Sequence, residues 1–227
     1  MCGRYTLTDP DPRYLKMRFD VSESVTLEEK PRFNIAPTDP VLAIRAHDGE
    51  RDLGRLRWGL VPPGKTPKEV GRPIINLRAE TVRKGAFKSA FEERRCLVPA
   101  DGFYEWHKKE DGKRPVWITL PDHELFAFAG LWSQSLDDDG NELISCTIIT
   151  TEPSEQIRPI HNRQPVILPR EAEATWLAPD ADPDVLGKLL GPGPDGLEIR
   201  EVGDFVNDVR NDAPELIEPY VPEPKLF

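Results

Sequence analysis

The chain has 227 residues, 38% hydrophobic and 31% charged, with a formal net charge of -10, a balance that describes one soluble globular domain with a sizeable core. No apolar run approaches the roughly 20 residues of a membrane-spanning helix and nothing at the start reads as a secretory signal, so a membrane role is excluded and the protein is expected to stay in the reducing compartment where it is made. Three widely spaced cysteines, no Cys-x-x-C and no histidine pair at helical spacing argue against a disulfide framework, a metal or a metal cofactor, while the acidic balance disfavours nucleic acid except through a local basic patch.

The chain opens "MCGRYT". With Met1 retained, Cys2 is a thiol near a frayed end. With Met1 removed, as small second residues permit, one residue carries a free α-amine and a thiol on adjacent carbons. A helix is expected at "DPRYLKMRF", begun by a proline. Three Asp-Gly pairs, Asp48-Gly49, Asp111-Gly112 and Asp139-Gly140, each separate strand-forming stretches. They predict three hairpins: "PVLAIRA" with "RLRWGLV", "GFYEWHK" with "RPVWITL", and "LFAFAGLW" with "LISCTIITT". So many strands call for closure into a barrel or sandwich. "AETVRKGAFKSAFEERR" reads as one amphipathic helix with Val82, Ala86, Phe87, Ala90 and Phe91 on its apolar face. Shorter helices are expected at "PREAEATWLA" and "DPDVLGKLL". The fold class is therefore α+β, a mainly antiparallel curved sheet or barrel-like β core with a few flanking helices. Residues 1–227 form one domain ending in a Pro-rich tail over 212–227, expected to lie over the body as extended chain or in part to be disordered.

Several polar residues stand in suggestive places. "GPGPDG" matches G-x-G-x-x-G through Gly191, Gly193 and Gly196, yet Pro192 and Pro194 lack the N–H groups a phosphate cradle needs, so a turn-rich loop is expected. On the strand "GFYEW", Glu105 shares a face with Phe103, while Tyr104 and Trp106 share the other. An inward Glu105 is a desolvated carboxylate suited to proton transfer; an outward one is a solvated surface charge, and the strand by itself leaves both open. His161 is a near-neutral proton carrier or a structural histidine. Asn76 and Arg78 alternate in "INLRAE", facing one groove with an amide for a sugar and a guanidinium for a phosphate, or else serving as turn and cap residues for the next helix.

In this order, "MCGRYT", "FNIAPT", "RWGLVP", "INLRAET", "RRCLVPADGFYEW", "FAGLW", "TTEPSEQIRPIHNRQPVIL" and "VNDVRNDAPELIEP", from residue 1 to about 219, resemble the SRAP family, the SOS response-associated peptidases or abasic-site-processing proteins. The opening Met-Cys-Gly-Arg and the long "RRCLVPADGFYEW" block are its most specific parts. The resemblance implies a groove for single-stranded DNA and a mature Cys2 that captures an abasic site as a thiazolidine. It implies catalytic roles for Cys2, Asn76, Glu105 and His161, and DNA contacts at Arg4, Asn34, Trp58, Arg78 and Arg163, with Trp58 as a wall for bases. It further implies a monomer partnered by abasic single-stranded DNA, in the cytoplasm with the nucleoid if prokaryotic or in the nucleus if eukaryotic. Peptidase and lyase-like activities belong to the same family picture, although with Met1 alone ahead of Cys2 self-cleavage is not required. This chain reads "HNRQP" where the family commonly has Met at the position of Gln164, and Leu77 where it often has Ala. Two other classes fit parts of the sequence: an N-terminal-nucleophile hydrolase or amidotransferase, which also begins Met-Cys-Gly, and a non-covalent single-strand binding module.

Overall fold

A computed structural model describes residues 2–22, 29–47, 49–110, 112–221. Its strands are β1 (Tyr5–Leu7), β2 (Arg32–Ile35), β3 (Pro40–His47), β4 (Glu50–Trp58), β5 (Asn76–Arg78), β6 (Arg95–Ala100), β7 (Gly102–Lys109), β8 (Gly112–Thr119), β9 (Phe126–Leu136), β10 (Glu142–Thr151), β11 (Gln164–Pro165), β12 (Ile167–Leu168) and β13 (Glu198–Glu201). β3, β4, β10, β9 and β6 pair in a ring that closes on itself, antiparallel except for the parallel β4–β10 contact. Closure removes the free edges that such long apolar strands would otherwise present. A second sheet, ordered β13-β8-β7-β1-β2, packs against it.

The three expected hairpins are β3–β4, β7–β8 and β9–β10. Asp48 and Asp111 of the first two turns lie outside the described residues. In the third, Asp137 Oδ1 accepts backbone N–H bonds from Asp139 and Asn141, and Gly140 takes φ +86°. Strand β10 is the hub. Its early residues pair with β4 through Cys146↔Trp58, and its later ones take β5 in the vacated place through Ile148↔Asn76 to Thr150↔Arg78. The chain leaves β4 at Gly59, φ +134°, where a Cβ would stand 2.9 Å from Pro73 Cβ.

The helices are short: α1 (Pro12–Phe19), α2 (Pro67–Val70), α3 (Ala79–Val82), α4 (Lys88–Glu93), α5 (Glu173–Leu177) and α6 (Pro183–Lys188). Asp11 caps α1 by accepting from the N–H groups of Arg13 and Tyr14 at 2.8 and 3.4 Å, worth about 1 kcal/mol. The single helix expected over "AETVRKGAFKSAFEERR" is corrected. It breaks into α3, a 3-10 turn and α4, because Lys84 is extended and Gly85 takes φ +60°. Val82, Ala90 and Phe91 still face the core, while Ala86 is exposed.

Both faces of β7 are covered. Phe103 faces the main core, with its ring 6.1 Å from Phe128, whereas Tyr104 joins Trp117, Val202, Val206 and Leu216 in a smaller cluster under the C-terminal segment. Residues of the Pro-rich tail as far as Tyr220 therefore bond to the body: Leu216 is buried, Asp212 accepts the N–H of Asn34 at 3.1 Å and Tyr220 N–H donates to the Glu201 carbonyl at 2.9 Å. Residues 222–227 lie outside the described residues.

One buried ion pair ties the helices to the barrel. Arg18 of α1 donates to both oxygens of Glu173 of α5 at 2.9 and 2.8 Å, and its Nε–H donates to the Leu125 carbonyl at 3.2 Å. The side chains are 5% and 3% exposed. Glu173→Ala strands Arg18 without its counter-charge, and urea denaturation is expected to show a loss of about 3–5 kcal/mol.

Candidate active site

The N-terminus is built into the second sheet. Tyr5 of β1 pairs with Phe103 and Ile35, and its ring meets Trp58 and Phe128 edge-on at 5.3 and 5.8 Å. Tyr104 N–H donates to the Arg4 carbonyl at 3.0 Å. Two residues earlier the chain is gripped from the side: Asn76 Nδ2–H donates to the Cys2 carbonyl at 2.8 Å. The opposite side of that amide, Oδ1, is buried and has no hydrogen-bond partner among the described residues.

Cys2 is 0% exposed, and its Sγ–H points to the Arg4 carbonyl at 3.6 Å. Burial first, and the Glu105 charge second, push the thiol well above its usual range, while the positive amino terminus pulls the other way. With Met1 in place the Cys2 nitrogen is also a peptide amide. In this form neither group is a nucleophile.

Glu105 lies on β7 facing the same way as Phe103, and it is 2% exposed. Burial pushes its carboxyl up to about 7, opposed by the positive amino terminus and by the Trp106 N–H. His161 stands in the loop before β11, with Nδ1 3.9 Å from Glu105 Oε1, too far for a hydrogen bond. Burial and the positive charges of the amino terminus and Lys113 hold the imidazole below its usual range, although its hydrogen bond to Arg163 works against them. At neutral pH the pair thus offers a carboxyl that still holds protons beside a neutral ring that accepts them.

The proposed DNA contacts divide. Arg78 is exposed at the end of β5, on the same strand face as Asn76, and after the Arg163 hydrogen bonds its charge helps hold the Glu80 carboxyl below its usual range. Arg163 is held by both oxygens of Glu80 and by the Thr150 carbonyl. Arg4 donates to Asn34 Oδ1 at 2.8 Å, to the Val206 carbonyl at 2.7 Å and to the Asn207 carbonyl at 3.3 Å. Two expectations need correction. Trp58 is a core residue, 0% exposed, whose indole N–H donates to the Ile75 carbonyl at 2.9 Å, so it offers no wall for a base. Asn34 is buried and donates to the carbonyls of Val206, Asp208 and Asn211, which makes it a clasp for the C-terminal segment. Gln164 is fully buried yet satisfied, accepting from Ser154 N–H at 2.7 Å and donating to the Pro192 carbonyl. Sequence reasoning missed Glu80 and Lys113 because their partners lie on other elements and no local pattern marks them. No group of three or more His, Cys, Asp or Glu among the described residues is placed to hold a metal ion.

The fold is thus a closed five-stranded barrel with Cys2 clamped by Asn76 near a buried Glu105. The profile of the SOS response associated peptidase (SRAP) family matches residues 1–209, and the chain belongs to that family. It is 42% identical over 223 residues to the abasic site processing protein YoqW of Bacillus subtilis, covering 96% of this chain and 99% of that one. It is 33% identical to the abasic site processing protein HMCES of Gallus gallus, covering 84% and 66%. A solved Bacteroides thetaiotaomicron protein shares the fold at TM-score 0.83 and 23% identity, over 97% and 100% of the chains.

The shift on Glu105 has a sign in stability. Below pH 4.5, the carboxyl's ordinary value, it is neutral in folded and unfolded chains alike. As pH climbs toward 7 the unfolded chain ionises first and stability falls, by about 3 kcal/mol across that window. Glu105→Gln lacks this slope, so its advantage over the parent in urea denaturation should grow from pH 4.5 to pH 7.5. Parallel pH curves for the two proteins contradict the assignment.

Proposed function

We propose that this protein processes abasic sites in single-stranded DNA, capturing the ring-opened sugar on Cys2 after Met1 has been removed. The observation that carries the reading is the Asn76 grip on the Cys2 carbonyl, which holds the terminus beside Glu105 and His161. Loss of Met1 turns the Cys2 amide into an α-amine with a reference pKa of about 8 and takes away the residue bonded to it. That single cleavage frees the nitrogen and leaves amine and thiol on one residue.

The steps balance. The amine adds to the sugar aldehyde and the carbinolamine loses one water to give an imine, with the Glu105 carboxyl protonating the departing hydroxyl. The Cys2 sulfur then adds to the imine carbon, its proton passing by way of His161 to the nitrogen, and a five-membered thiazolidine closes. Because both nucleophiles belong to one residue, ring closure is intramolecular, where effective molarities reach about 10^5 M or more. Removal of the initiator is enough to create the reagent. Arg78 is the exposed guanidinium for a phosphate, and Arg4 and Arg163 are candidate phosphate contacts that also brace the scaffold.

Mature protein incubated with an abasic single-stranded oligonucleotide should give a heat-stable adduct, read as an intact mass lighter than the sum of the parts by one water. Cys2→Ser and a form that keeps a residue ahead of Cys2 should give none; an adduct with the extended form would overturn the reading. Arg78→Ala should weaken non-covalent capture and lower the salt slope of log K by about one. An unchanged slope removes Arg78 from the phosphate path.

A further inference from the structure

The loop that carries His161 is anchored twice at its base. Ile157 is fully buried, its carbonyl accepts the His161 N–H at 2.9 Å, and Gln164 closes the loop on Ser154. The imidazole itself is oriented by one neighbour. His161 Nδ1 lies 3.0 Å from the backbone nitrogen of Arg163 and 3.0 Å from its carbonyl oxygen. A neutral ring that accepts the Arg163 N–H at Nδ1 must carry its proton on Nε2; a ring protonated at Nδ1, neutral or charged, turns the same contact into a donation to the carbonyl. Either state depends on where the main chain of residue 163 is held.

That main chain runs directly into β11, where Gln164 pairs with Thr151, and the Arg163 side chain fixes it from a second direction. The Arg163 guanidinium is bidentate on Glu80, at 2.5 and 3.0 Å, and also donates to the Thr150 carbonyl on β10 at 2.6 Å. Arg163 is 12% exposed against 48% for Glu80, and its Nε is buried with no hydrogen-bond partner among the described residues. Without Glu80 a nearly buried cation keeps one carbonyl. Exposed ion pairs contribute little as a rule, but bidentate geometry on a desolvated arginine is the exception. Glu80 also sits two residues from Arg78, where a carboxylate opposes the approach of a polyanion, so its presence there calls for a compensating role.

We propose that Glu80 is a positioning residue: through Arg163 it sets the orientation and tautomer of His161. The other charged groups facing the ring are Glu105 from β7, Lys113 from β8 and the amino terminus, and each remains in place when Glu80 is altered. The kinetic part of the test rests on the capture chemistry proposed above, whereas the spectroscopic part does not.

The test uses mature full-length protein labelled with 15N-histidine, as parent, Glu80→Ala, Glu80→Gln and Glu80→Asp. In the parent at pH 8, His161 should show an unprotonated Nδ1 and a protonated Nε2. Glu80→Ala and Glu80→Gln should lose that pattern, and Glu80→Asp, which keeps the carboxylate, should restore it in part. With abasic oligonucleotide at saturation, Glu80→Ala should form adduct about tenfold more slowly, the scale expected for a misplaced proton carrier. Its affinity for an intact strand should hold or tighten by at most about threefold, since only a repulsive charge is lost. An unchanged His161 pattern in Glu80→Ala overturns the proposal, as does an intact-strand affinity that falls while the adduct rate at saturation holds. A parent that forms no adduct at all removes the capture reading, and the histidine spectra then decide this inference by themselves.

Discussion

The structure depends on tying down an end that would otherwise fray. Residues 5–7 form the strand between β2 and β7, the Tyr5 ring is buried against Trp58 and Phe128, and Asn76 fixes the Cys2 carbonyl from β5. Three elements far apart in sequence therefore meet at the second residue of the chain. A residue on a free terminus would sample a wide volume. Here it has one address, and on the proposed chemistry the cost of fixing it is met during folding by core burial and strand pairing rather than at the moment of reaction.

The same architecture sets the electrostatics. The second sheet lies between the barrel and the C-terminal segment, so β7 has no solvent face where Glu105 sits. Burial makes that carboxyl reluctant to ionise, and burial together with nearby positive charges makes His161 reluctant to accept a second proton. Two groups 3.9 Å apart thereby have their charged forms disfavoured, Glu105 keeping protons to a higher pH and His161 losing them at a lower one. The arginines nearby are mostly committed to the scaffold. Asn34 and the carbonyls of residues 206 and 207 hold Arg4, and Glu80 holds Arg163. A chain with net charge -10 can thus place a few cations near its site without presenting a broad basic face.

Much of this was legible in the residues. Asp-Gly pairs marked the hairpins because they favour positive φ, and strand alternation put Glu105 with Phe103. What alternation could not supply was the cover on the other face: Tyr104 is buried by residues about a hundred positions later. The long helix failed for a local reason, since an apolar stripe continued through Gly85, which turns the backbone to φ +60°. Trp58 and Asn34 stand in distinctive motifs that suggest ligand contacts, yet those motifs encode packing and a backbone clasp. The Glu80–Arg163 pair spans 83 residues, and no local pattern announces it.

The central claim is that one residue supplies both nucleophiles. It is tested most directly by digesting the adduct of mature protein with an abasic oligonucleotide and locating the sugar by tandem mass spectrometry. The account requires the sugar carbon on the terminal Cys2 peptide, bound through nitrogen and sulfur together, with a thiol that no longer alkylates and a mass unchanged by borohydride. A sugar found on a lysine, or on Cys2 with its thiol still free, would contradict it.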